Sequence, residues 1–168
     1  MKTQFILFLS LGILLIPCCL QSQTTKQYFE ECPEIDLGKK LIKAYLNQDW
    51  ETYRSCYSDT VRIWQNAWYT SDPGITLEEE IKATKDFVSK LATYTYEETI
   101  WEMIVNNNGD KWVHLWGKWV GKLTPNGDEL VVPVHIAFGV IGDKIVYEAG
   151  FWDNLPMHFV QQELEKEE

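Results

Sequence analysis

The chain reads as an α+β domain in which three helices precede four long antiparallel strands, and two patterns predict it. From Lys111 to Trp152 the segments KWVHLWGKWVGKL, ELVVPVHIAFGVI and KIVYEAGFW alternate apolar and polar residues. They are separated by PNGD and GD, as consecutive strands with tight turns are. Between residues 36 and 91 apolar residues instead recur every three or four positions, the rhythm of one-sided helices. Helices in a run followed by strands in a run place the helices over one face of a curved sheet.

The elements follow in order. Residues 23–35 are polar without periodicity and read as a linker. Asp36 caps a helix with the stripe Leu37, Leu41 and Tyr45, with Ile42 and Leu46 beside it. Asp49 opens a shorter helix carrying Trp50, Tyr53 and Tyr57 on one face. A short β-rich stretch, Val61 to Gln65, is followed by the loop TSDPG. Thr76 and Glu79 then form a capping box for a third helix with Leu77, Ile81, Thr84, Val88 and Leu91. Tyr94 to Val105 joins the meander through Asn106-Asn107-Asn108-Gly109, and residues 156–168 form an acidic tail.

The 168 residues, 45% apolar and 14% aromatic, suffice for one domain with a core. A net charge of −10 excludes nucleic acid as a partner, because phosphate binding needs clustered Lys and Arg. Lys2 followed by the apolar run Phe5 to Ile16 reads as a secretory signal, residues 1–22, with cleavage after Ser22. The run is too short to span a bilayer, so the chain is expected to be exported: periplasmic, cell-surface or secreted. Acylation of Cys18 or Cys19 would make it a lipoprotein, the one route to a membrane. Cys32 and Cys56 remain. A disulfide between them would close a loop of roughly 25 residues and contribute about 3 kcal/mol, and two free thiols are the other reading. No CxxC, His/Cys ligand spacing, phosphate loop or Ser-His-Asp series occurs, so no metal and no cofactor is expected.

The element order, with the strings YLNQDWETYRSCYSDTVRIW and GDKIVYEAGFWD, resembles the nuclear transport factor 2-like superfamily over about residues 36–155. Within it the chain is most similar to the SnoaL-like group, which includes polyketide cyclases and is related to ketosteroid isomerases. The resemblance implies a cystatin-like cone: three N-terminal helices packed on a strongly curved, mostly antiparallel sheet around a pocket. It does not by itself imply an activity, since such folds host enzymes, binding modules and association domains.

Two-residue turns would fix the strand register, because antiparallel partners sum to a constant. On that assumption one face collects Trp101, Met103, Trp112, His114, Trp116, Lys118, His135, Glu148 and Trp152. The other collects Val113, Leu115, Trp119, Leu130, Val132, Val134, Ile136, Phe138, Val140, Ile145, Tyr147 and Phe151. Alternation alone would turn the greasier face to the helices. The resemblance implies the opposite, since pocket positions of isomerase-like members match His135, Glu148 and Trp152. The greasy face would then lie outside and be covered by a second copy, a homodimer through the outer sheet face.

The isomerase machinery does not carry over. Its catalytic carboxylate falls at Gln65, its oxyanion tyrosine near Leu41 and its protonated acid at His135, so steroid isomerisation is not expected. The leading expectation is a pocket for a small hydrophobic or cyclic molecule, lined by Gln65, Trp101, Met103, Trp112, His114, Trp116, Lys118 and Trp152. The alternative is a lyase, cyclase or isomerase using His135 as base beside Glu148. A second alternative is a non-catalytic association domain whose cavity is filled by its own side chains.

Overall fold

A computed structural model describes residues 27–67, 71–124, 127–153 and 155–156. The expected signal segment 1–22 and the tail beyond Pro156 lie outside them.

The first helix, α1 (Pro33–Leu46), starts three residues before Asp36. Proline at its first turn supplies the right φ without wasting a donor, and Cys32 precedes it in extended conformation. Its stripe buries Ile35, Gly38, Leu41, Ala44 and Tyr45 against the sheet. In α2 (Trp50–Ser55), Asp49 caps the helix by accepting from the Thr52 N–H at 3.0 Å. In α3 (Leu77–Val88) the Thr76–Glu79 capping box is closed in both directions.

The strands are β1 (Tyr28–Phe29), β2 (Tyr57–Gln65), β3 (Thr93–Val105), β4 (Lys111–Lys122), β5 (Leu130–Ile141) and β6 (Lys144–Trp152). They form one sheet in the order β1-β3-β4-β5-β6-β2, antiparallel except for the parallel β2–β6 pair. The stretch expected to be a linker thus contributes a short edge strand, Phe29 facing Met103. The strand expected from Val61 begins at Tyr57, which therefore leaves the helix face assigned to it.

Two loops and two bulges depart from the expected register. The β3–β4 loop spans Asn106 to Asp110, with the Asn106 side chain accepting from the N–H of Asn108 (2.9 Å) and of Asp110 (3.0 Å). Its closing pair is Val105↔Lys111, so Trp101 faces Leu115 and Met103 faces Val113, one residue away from the expected register. Farther along β3, Glu98 takes a left-handed φ of 49° at a bulge between Glu97 and Ile100. That bulge puts Tyr96, like Trp101, on the helix side. The β4–β5 connection shifts the register by two residues without changing faces, so His135 faces Trp116 and Lys118 faces Pro133. The β5–β6 turn is as short as expected, but a bulge follows: Val140 pairs with Ile145 while Gly139 pairs with Tyr147. Val146 is the extra residue, and beyond it Glu148 faces Phe138.

The greasy face consequently turns toward the helices. Val113, Leu115, Trp119, Val132, Phe138 and Ile145 are buried there with Leu41, Tyr45 and Ile81. The expectation that this face lies outside is corrected: plain alternation was the right guide, because burying those rows is the largest apolar gain open to the sheet.

Candidate functional site

A cavity of about 330 Å³ opens between the helices and the inner face of the sheet. Leu41, Ile42 and Tyr45 of α1 and Ala83 and Phe87 of α3 wall one side. Val132, Val134, Ile136 and Phe138 of β5 form the floor, and Trp119 and Trp152 close the flanks. Into this apolar space the fold directs two carboxyls, Glu80 from α3 and Glu148 from β6.

Glu80 lies one position off the α3 stripe and is 6% exposed. Gln65 Nε2 donates to its Oε2 at 2.6 Å and Thr84 Oγ1 to its Oε1 at 3.0 Å, so each oxygen has a donor. Glu148 reaches the cavity because of the Val146 bulge and accepts from the Tyr57 hydroxyl. The Tyr53 hydroxyl lies 3.2 Å from that of Tyr57, and a chain Tyr53 to Tyr57 to Glu148 gives each proton a destination. Burial pushes Glu148 up to about 8, helped by the negative charge of Glu80 and opposed by the Tyr57 bond. Burial also raises Glu80, while its two donors hold it down. Two donors stabilise the charged form of Glu80 against one for Glu148, so Glu148 is the carboxyl that keeps its proton near neutral pH. Burial raises the pKa of Tyr45, Tyr53, Tyr57 and Tyr96, keeping all four as phenols. Trp119 Nε1 donates to the Tyr45 hydroxyl at 3.1 Å, fixing the ring at the cavity wall.

The residues singled out from sequence divide between the two faces. Gln65, Glu148 and Trp152 line the cavity. Trp101 and Met103 face inward but are core: Trp101 lies against Gly38, and Met103 is buried. Trp112, His114, Trp116, Lys118 and His135 stand on the outer face, so the pairing of His135 with Glu148 as base and partner is corrected. His135 faces Phe151 and Glu148 faces Phe138, on opposite sides of the sheet. Outside, His114 Nδ1 lies 2.9 Å from His135 Nε2, and Trp116 stacks on His135 with centroids 3.8 Å apart. Trp116 Nε1 donates to Glu102, and Lys118 pairs with Glu98 at 2.7 Å. Burial lowers both histidines, which are therefore neutral near pH 7.

Sequence reasoning missed Glu80, Tyr53, Tyr57, Tyr96 and Trp119. A signal existed for Glu80, an acid beside Leu77, Ile81 and Thr84 on an otherwise apolar helix face. Cys32 and Cys56 are free thiols, Cys56 buried and donating to the Thr52 carbonyl at 3.3 Å. Among the described residues no three His, Cys, Asp or Glu side chains are grouped to hold a metal ion.

No protein-family model matches the sequence, and no curated protein matches it. Solved structures do match the fold. A candidate SnoaL-like polyketide cyclase from Shewanella denitrificans is similar with a TM-score of 0.58 at 14% identity, over 79% of this chain and 99% of that one. Wild-type IdmH, a candidate polyketide cyclase from Streptomyces antibioticus, is similar at 0.57 and 16%, over 77% and 97%. TerC co-crystallized with polyporic acid is similar at 0.56 and 14%, over 76% and 97%. The chain therefore shares the cone fold of these candidate SnoaL-like polyketide cyclases.

Proposed function

We propose that the cavity binds a small, mostly apolar cyclic molecule. The observation that carries this reading is an open, aromatic-walled space of about 330 Å³ containing two carboxyls at its polar end. That volume lies at the small end of ligand pockets, which run to about 300–1,000 Å³. Glu148, protonated, offers a hydrogen bond to an acceptor on the guest, and the surrounding rings supply dispersion and shape. Candidate cyclases and TerC, crystallized with polyporic acid, share the fold and support the ligand class. Trp119 and Trp152 are built-in reporters, so titration with a panel of aromatic and steroid-like compounds should quench or shift tryptophan emission. An unchanged spectrum across the panel rejects the reading in favour of a cavity with no guest.

A second reading, acid–base catalysis, is favoured by the raised pKa of Glu148 beside Glu80. An acid and a base with pKa values pushed apart are what proton transfer on a cyclic substrate requires. On this reading Glu80 replaces His135 as the partner of Glu148.

The chain is exported on this proposal, its N-terminus either cut after Ser22 or acylated at Cys18 or Cys19. Mass spectrometry of the N-terminus from fractionated cells distinguishes these, and an intact Met1 in the cytoplasm contradicts export. It also pairs through the outer sheet face, where Ile100 (62% exposed), Trp116 (45%) and Tyr147 (47%) lie among half-buried aromatics. A monomer in light scattering at micromolar concentration contradicts the pairing.

A further inference from the structure

We infer that the cavity is built for a cationic guest, a small aromatic or alicyclic amine whose ammonium sits between Glu80 and Glu148. This rests on the pocket reading and narrows its ligand class. The lining side chains include two acids and no Lys, Arg or His. The basic residues nearest in sequence, Lys82 and Lys144, do not line the cavity, so among the described residues none faces the pair as a counter-ion.

A buried carboxylate without a cation is costly, and the fold relieves that cost by leaving a proton on Glu148. An ammonium can take the place of that proton. It brings a full positive charge and N–H donors to a site where Gln65, Thr84 and Tyr57 already satisfy other lone pairs of the two carboxyls. The walls suit the same guest. Tyr45, Tyr53, Tyr57, Tyr96, Trp119 and Trp152 present electron-rich rings around the acids, and cations are attracted to such faces. An anionic guest would add a second negative charge beside Glu80, and a neutral one would bring no counter-charge to it. The net charge of −10 biases diffusional encounter the same way.

The test compares 2-phenylethylamine with 2-phenylethanol, its neutral isostere, by calorimetry on the full chain at pH 6 and pH 8. The amine should bind at least about tenfold tighter at pH 8, weaken by up to roughly tenfold per pH unit toward pH 6, and release a proton to buffer on binding. Glu148→Gln should weaken the amine toward the affinity of the alcohol and remove the pH dependence of its binding. Equal affinity for the two compounds, or amine binding indifferent to pH, overturns the cationic guest while leaving the apolar pocket standing. Failure of both compounds, together with silent tryptophan emission across the neutral panel, overturns the pocket reading and this inference with it.

Discussion

Replacing Glu148 with Gln should flatten the pH dependence of stability between pH 5 and 9. In the folded chain burial, reinforced by Glu80, raises this carboxyl from the ordinary 4.5 to about 8. Unfolded, it ionises near its reference value of about 4.3. Between those values the folded state keeps a proton that the unfolded state has released. Stability from this group is therefore full below about pH 4 and is lost as pH climbs through about 8. A rise of about 3.5 at about 1.36 kcal/mol per pKa unit sets an upper bound near 5 kcal/mol. The cavity is open and Glu148 keeps some accessible surface, so about 2–4 kcal/mol is the working expectation. With a urea m-value of about 2 kcal/mol/M, the wild-type midpoint should fall by roughly 1–2 M between pH 5 and 9. The Gln variant should lose most of that fall and overtake the wild type at high pH. Parallel curves for the two proteins would refute the placement of a protonated Glu148 in the cavity.

Other substitutions probe the remaining links. His135→Ala should leave guest affinity, read by tryptophan emission, within about twofold, because the ring stacks on Trp116 outside the cavity. Tyr57→Phe removes the donor that holds Glu148 down, so the carboxyl should titrate still higher, as carbon-13 NMR of labelled glutamate would read. Gly38→Ala places a Cβ 2.7 Å from Cζ3 of Trp101, and the clash should outweigh the roughly 1 kcal/mol helix-propensity gain and lower the urea midpoint.

The fold was legible because its signals are local and redundant. The Thr76–Glu79 box, the Asp49 cap and the Gly142-Asp143 turn each state their geometry within four residues. The site was less legible because it depends on parity, which one bulge inverts. Val146 gives no compositional warning of being an extra residue, yet it moves Glu148 from the side of Ala137 to that of Phe138. Asn106 likewise folds its loop back through its side chain, a choice the Asn-Gly pair two residues later conceals. The hydrophobic rows of β5 were the stronger evidence. Val132, Val134, Ile136 and Phe138 cannot be left to water when a helical layer is available to cover them. Burial of those rows, which alternate with His135 along β5, is what places His135 outside.

The protonation state of Glu148 inside the cavity is the property on which the site depends most directly. Infrared difference spectra of wild type against Glu148→Gln, taken from pH 5 to 10, isolate its carboxyl band. A protonated band that persists through pH 7 and disappears around pH 8 is the predicted result. A Glu148 already ionised at pH 6 would contradict the account.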